Sequence, residues 1–379
     1  MRLARCKSAT TIFTVAFACL WMTAAQASEE RIWLDGKING KSVRLVFDTG
    51  SSHSILFSRT ADRLGLKVNP PSSDITLADD NIRHGETELC DLNVWSFSGK
   101  TTFQTLEIPT PAGVLEDGLF GWGHVRSNVI QIDAESLTLK QLTRVPPDAA
   151  TWVRFPLMAN HASLSLEVPG QIWSIGVDTG SSSGVTLMSA KWREWKAAHK
   201  NAPLTLSESY SPSGGSAVSE ESWAKEFSLG GLTLTDVPVR QPSRLETANG
   251  QPILGLAALK RLDFIIDGTQ GVAYLRPKRT PPPPYQHNRL GAEFVPRHSK
   301  SDELVAQVAD GSPAQIATIR NGDVLLKVGD RDVTKWRTDP NYPRQRSCER
   351  PAGTKLDLTL KRDEEIIKIS VVLRDILGP

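Results

Sequence analysis

One six-residue pattern occurs twice in this chain. Phe47-Asp48-Thr49-Gly50-Ser51-Ser52 returns as Val177-Asp178-Thr179-Gly180-Ser181-Ser182, 130 residues later. A single Asp-Thr-Gly-Ser arises by accident in roughly one chain in a hundred of this kind. The flanks repeat as well, and accident does not explain that. Gly40 and Gly170 each lie eight residues before the aspartate. Leu119-Phe120-Gly121 ends 73 residues after Asp48, and Ile253-Leu254-Gly255 ends 77 after Asp178. Twelve residues beyond those glycines stand Asp133 and Asp267, each preceded by isoleucine. Four landmarks in the same order mark a duplicated module.

Each copy reads as mostly strand. Val43 to Phe47 and Ile172 to Val177 are short β-rich runs that feed the Asp-Thr-Gly turns. Turn signals at Asn39-Gly40, Asp79-Asp80-Asn81, Ser98-Gly99, Ser213-Gly214-Gly215 and Gly230-Gly231 come at the short intervals of an all-β fold. Helices are expected over 189–200, with Trp192 and Trp195, and over 256–262. A composition break at Val145-Pro146-Pro147-Asp148 marks a linker. A sharper break follows Pro277, where Pro281 to Pro284 should form a stiff polyproline II spacer holding two domains apart. Beyond it, strand patterns at Glu303 to Val308, Asp323 to Val328, Lys355 to Leu360 and Ile366 to Leu373 describe a small further domain.

The N-terminus has a separate character. Arg2, Arg5 and Lys7 precede an apolar run from Ala9 to Met22, and Ala25-Gln26-Ala27 follows. This is the pattern of an export signal cleaved before Ser28; a retained anchor is the alternative. Cleavage takes the formal net charge from +2 to −1 and leaves Cys90 and Cys348 of the four cysteines. The division is therefore 1–27 signal, 28–144 first lobe, 145–151 linker, 152–277 second lobe, 278–285 Pro-rich linker and 286–379 C-terminal domain. A charge near zero gives no electrostatic case for a nucleic-acid partner. No later stretch is long and apolar enough to be a membrane span, so a mature protein in the periplasm or outside the cell is expected. Cys90 and Cys348 fall in different domains and read as separately held thiols.

A carboxylate on a tight turn with glycine two residues on is exposed above closely folded backbone. Two such turns from duplicated lobes can meet across a pseudo-two-fold axis and bring Asp48 and Asp178 within hydrogen-bonding reach. Carboxylates that close share a proton, and their apparent pKa values split. The ionised one can take a proton from water while the protonated one donates to a scissile carbonyl. Neither a metal nor a cofactor is required. The seven histidines show no metal-ligand spacing, and no serine-hydrolase elbow occurs.

The paired Asp-Thr-Gly-Ser segments with their downstream hydrophobic-hydrophobic-Gly resemble the signature of aspartic proteases of the pepsin and retropepsin type, over residues 30 to 277. The resemblance implies a mainly β fold of two pseudo-symmetric retropepsin-like barrel lobes in one chain, acting as a monomer on peptide or unfolded protein. It implies that Asp48 and Asp178 are catalytic, that Thr49 and Thr179 brace them, and that a hairpin flap closes over substrate. Gly50, Ser51, Gly180 and Ser181 complete the support of the dyad. The Ser51 and Ser181 hydroxyls are expected to donate to the aspartates and favour an acidic optimum. The first-lobe flap maps to Ile75–Glu88 with its tip at Asp79, Asp80 and Asn81. Tyr210 to Ser216 is the second-lobe equivalent.

The C-terminal stretch resembles a PDZ domain of the kind appended to bacterial secreted proteases, through Gly311-Ser312-Pro313-Ala314, Arg320-Asn321-Gly322-Asp323-Val324-Leu325 and Val328-Gly329-Asp330. That implies capture of a peptide C-terminus, with Leu290, Gly291 and Ala292 as the carboxylate loop. The segment Thr334 to Arg350, where a groove helix should lie, holds Pro340 and Pro343 instead of a helical pattern. Two functions remain open at this stage: an aspartic endopeptidase, and a catalytically weak or inactive secreted peptide-binding protein using the same cleft and PDZ domain.

Overall fold

The computed structural model describes residues 31–70, 84–107, 116–159, 163–211, 215–243, 251–281, 283–298, 301–336 and 347–378. Both Asp-Thr-Gly turns are reached along the same path. The strand Lys41–Asp48 runs antiparallel to Trp33–Ile38 and parallel to Gly118–Gly121, with Asp48 opposite Gly121. In the second copy Ser174–Val177 runs antiparallel to Ser165–Glu167 and parallel to Ile253–Leu254, with Val177 opposite Leu254. The next strand also repeats. Ile55–Phe57 is antiparallel to Gly118–Gly121 and parallel to Gln104–Leu106. Val185–Thr186 is antiparallel to Ile253–Leu254 and parallel to Leu232–Arg240. These strands belong to a nine-stranded sheet in the first lobe and a seven-stranded sheet in the second. Near the turn the first strand loses its alternation, and Leu45, Val46 and Phe47 are all buried, as expected where a sheet is covered on both faces.

The four sequence landmarks have the same physical cause in each copy. Gly40 and Gly170 close hairpin turns at φ +79° and +73°, backbone that glycine adopts without strain. Gly121 and Gly255 lie against the chain just past each aspartate. A Cβ there would stand 2.5 Å from the His53 carbonyl oxygen or 2.4 Å from that of Ser183. Asp133 and Asp267 end strands and cap the turns that follow. Asp133 Oδ1 accepts from the Glu135 and Ser136 amides, and Asp267 Oδ1 from those of Thr269 and Gln270.

Those last strands join the lobes. Val129–Asp133 of the first pairs antiparallel with Leu262–Asp267 of the second, Ile130 opposite Ile266, at the centre of a five-stranded sheet. One apolar core therefore runs through both lobes and includes Phe47, Phe120, Ile130, Val177, Leu254 and Ile266. Each large side chain fully removed from water contributes about 1.5–3 kcal/mol, so the core beneath the turns stabilises both lobes together.

Several local expectations shift. Ser98-Gly99 lies inside the strand Phe97–Thr101; the reversal falls earlier, where Trp95 takes φ +53°. Strand pairing between Val94 and Phe97 decides this over turn propensity. The strand expected from Ile172 starts at Ser174, because the turn at Gly170 leaves Ile172 fully exposed. The helices end at Ala198 and Leu259, the second because Leu262 already begins the interlobe strand.

The C-terminal domain is a six-stranded sheet ordered Ala292–Pro296, Leu304–Val308, Val324–Val328, Lys355–Arg362, Glu365–Val372, with Arg331–Asp332 paired beside Val324–Val328. Its own core holds Leu290, Ala306, Leu325, Leu358 and Leu360. Asp323, buried, is gripped by Arg362 through two bonds of 2.7 Å, which holds its carboxyl below the ordinary range. The proline-rich stretch does not hold this domain away. Tyr285 donates to Glu221 Oε1 at 2.7 Å, Thr205 Oγ1 donates to the Asn288 carbonyl at 2.7 Å, and Ala292–Pro296 lies against the second-lobe hairpin Leu204–Ser211 and Gly215–Leu229. Burial first, then the Glu221 carboxylate, keeps the Tyr285 phenol protonated well above its usual range, so it stays a donor. The docking is fixed by residues on either side of the proline run.

Candidate active site

Asp48 is the last residue of its strand and Asp178 immediately follows its own. Each chain then folds back, the Ser51 amide reaching the Asp48 carbonyl and the Ser181 amide the Asp178 carbonyl, both at 3.3 Å. The Asp48 and Asp178 carboxyls are hydrogen-bonded to each other. Asp48 Oδ1 also accepts the amides of Gly50 (2.8 Å) and Ser51 (3.1 Å), and Asp178 Oδ1 accepts that of Gly180 at 2.8 Å.

The need for glycine is steric and crosses the lobes. A Cβ on Gly50 would stand 2.7 Å from Asp178 Cγ, and one on Gly180 would stand 2.7 Å from Asp48 Cγ. Beneath the dyad Thr49 and Thr179, both without solvent exposure, form a closed exchange. Thr49 Oγ1 accepts the Thr179 amide and donates to the Val177 carbonyl. Thr179 Oγ1 accepts the Thr49 amide and donates to the Phe47 carbonyl. Amide bonds are 3.1 Å and carbonyl bonds 2.7 Å on both sides. Four buried backbone groups are thus satisfied by two hydroxyls, and neither lobe completes its turn alone.

The serine hydroxyls do not aim at the carboxylates as expected. Ser51 Oγ donates to the His53 carbonyl at 2.7 Å, and Ser181 Oγ pairs with Ser183 Oγ at 2.8 Å. A hydroxyl turns to a nearby acceptor, and here Ser51 and Ser181 find one beside the turn, while Oδ1 of each aspartate holds backbone amides. The pKa consequence also changes. Burial raises the Asp48 carboxyl above its ordinary range, opposed in order by the Gly50 amide, Asp178, the Ser51 amide and the charge of Arg31. The backbone amides, not the hydroxyls, temper the rise.

The flap tip Asp79, Asp80 and Asn81 lies outside the described residues. Its C-terminal flank, His84–Thr87, pairs with Val68–Asn69 and Gln104–Leu106. The second-lobe equivalent is the end of the long hairpin, where Ser211 is opposite Gly215. Cys90 and Cys348 are both buried and unbridged. Among the described residues no group of three or more histidine, cysteine or acidic side chains could hold a metal, and no helix is long and apolar enough to cross a membrane. In the C-terminal domain Leu290 and Gly291, the latter at φ +70°, precede the edge strand that Ala292 opens. Sequence reasoning missed Arg31, Tyr285 and Asn288. Only Tyr285, the aromatic directly after the proline run, left a signal that could have been read.

With this geometry in view, two regions of the chain match known families. Residues 34–123 match the family model described as aspartyl protease. Residues 288–373 match the PDZ domain model. Together these matches support a protease with a C-terminal PDZ domain. The aspartyl protease match spans Asp48, its turn and Gly121, and ends before the second copy begins. No curated protein matches the chain. The PDZ domain implies peptide binding.

Proposed function

We propose that this chain is an aspartic endopeptidase in which Asp48 and Asp178 hydrolyse peptide bonds directly with water. The observation that carries the reading is the dyad: two carboxyls in mutual hydrogen bond, seated on turns that cross-brace through Thr49 and Thr179. One carboxyl holds the shared proton and the other is ionised. The ionised group removes a proton from a water placed between them; the oxygen attacks the scissile carbonyl, which takes the proton of the other carboxyl. As the tetrahedral intermediate collapses, the C–N bond breaks and the departing amine takes the dyad's proton, while a hydroxyl of the intermediate gives its proton to the other carboxylate, so the dyad is again singly protonated. The chain itself supplies both aspartates, so a monomer suffices.

The rest of the reading follows from the sequence. Residues 1–27 act as an export signal, placing the mature protein in the periplasm or outside the cell, and the PDZ domain captures peptide or partner protein. The test is digestion of a reduced, alkylated protein between about pH 3 and 7, products read by mass spectrometry, with wild type and Asp48→Asn. Internal cleavage by wild type alone supports the proposal. Cleavage by both proteins refutes it, and cleavage by neither leaves the chain a peptide-binding protein.

A further inference from the structure

The loop that would receive a peptide carboxylate is already filled. Asn288 Oδ1 accepts the amides of both Leu290 (2.9 Å) and Gly291 (2.8 Å). Its Nδ2 donates to the Ala292 carbonyl and to Glu293 Oε1, each at 2.9 Å. Asn288 is 3% exposed, and its own carbonyl accepts the hydroxyl of Thr205, a fully buried residue of the second lobe. The plug is therefore held from both sides. A carboxylate gains its hold from converging backbone amides, and those of Leu290 and Gly291 have a neutral oxygen in place.

Beside the plug lies a cavity of about 240 Å³ whose wall is largely apolar, formed by Leu290, Ala292, Phe294, Trp336, Leu356 and Leu358. Its charged lining comprises Glu208, contributed by the second lobe, with Glu293, Arg331 and Arg350. Two acids offset two arginines, so the wall carries no net charge to replace the occupied amides.

We infer that this cavity takes an apolar side chain presented from within an extended peptide segment, not the terminal carboxylate of a chain. The inference rests on the peptide-binding reading of the PDZ domain and refines which peptides it accepts. Because Glu208 belongs to the second-lobe hairpin, an occupant of the cavity touches protease lobe and PDZ domain at once. Unfolded chains offer many internal apolar residues and one C-terminus, which suits an enzyme fed by unfolded substrate.

The test uses the full mature chain carrying Asp48→Asn, so that probes survive. Fluorescein-labelled decapeptides ending Val-Ala-Phe are titrated as free acid and as C-terminal amide, with binding read by anisotropy. Affinities within about twofold of each other are expected, and Phe294→Glu should abolish both. In Asn288→Ala the freed amides should favour the acid by roughly tenfold or more. If that variant does not fold, the unplugged comparison is lost and the acid-to-amide ratio with Asn288 in place decides. An acid at least roughly tenfold tighter with Asn288 in place overturns the inference while peptide binding stands. Binding that survives Phe294→Glu places the occupant elsewhere and also overturns it. No binding of either form refutes the peptide-binding reading itself, and the inference with it.

Discussion

In the first lobe Ser51 donates its hydroxyl to the His53 carbonyl, whereas in the second Ser181 pairs with the hydroxyl of Ser183. After the turn the first lobe makes the short helix Ser58–Leu64; the second makes Ser189–Ala198, whose Trp192 donates to Glu220 on the long hairpin. That hairpin also receives Tyr285 and supplies Thr205 to Asn288. The lobes thus agree at the glycines, the threonine exchange and the capping aspartates, and differ in everything the C-terminal domain touches. What the dyad needs was kept in both copies; the remainder of the second lobe became a platform.

Three matched pairs of substitutions and one single substitution can break or sharpen this comparison. Thr49→Val and Thr179→Val each leave a buried amide and a buried carbonyl unpaired, and each should lower unfolding free energy by about 2–4 kcal/mol. Equal losses by denaturant titration would confirm that the exchange is symmetric, and the double variant should cost less than the two losses added. Gly50→Ala and Gly180→Ala push against the opposite carboxyl and should each reduce kcat/KM on an unfolded substrate by roughly 10²-fold. A tenfold disparity between them would show that the lobes are not equivalent at the dyad. Tyr285→Phe removes a hydrogen bond to a charged acceptor that only the second lobe has, worth about 1.5–3 kcal/mol. It should expose the 278–291 segment to limited proteolysis without slowing peptide hydrolysis. Ser51→Ala and Ser181→Ala should have the smallest effect, within about 0.5 kcal/mol of stability, and should leave the pH–rate profile where it was. A shifted profile would restore the hydroxyl-to-carboxylate contact that the structure replaces.

Much of the site was legible in sequence because its residues are forced one by one. Gly50 and Gly180 admit no side chain, Gly40 and Gly170 need positive φ, and Asp133 and Asp267 must cap their turns. Such demands recur identically wherever the turn recurs, so they survive as a readable repeat. What was not legible depends on choices among partners. A serine hydroxyl can serve any nearby acceptor, and Ser51 and Ser181 found theirs at the His53 carbonyl and the Ser183 hydroxyl. Trp95 turns the chain against propensity because its strands are in register. Docking of the C-terminal domain joins Thr205 and Glu221 to residues more than sixty positions later, and a proline run between says nothing about either. Asn288 could be read as a plug only once its two amides were in view.

The central claim is that Asp48 and Asp178 act as one catalytic unit. The most direct measurement is kcat/KM on one unfolded substrate from about pH 3 to 7 for wild type, Asp48→Asn and Asp178→Asn. Because burial raises Asp48 above its ordinary range, its ionised form is disfavoured in the fold, and the stability it contributes is lost as pH rises through that raised value. Asp48→Asn should therefore be more heat-stable than wild type near neutral pH, and the same thermal melt checks that the variant is folded. The account predicts a bell-shaped profile for wild type and a fall of roughly 10²–10⁴-fold at every pH for both variants. A folded variant of either aspartate that keeps the wild-type rate would contradict it.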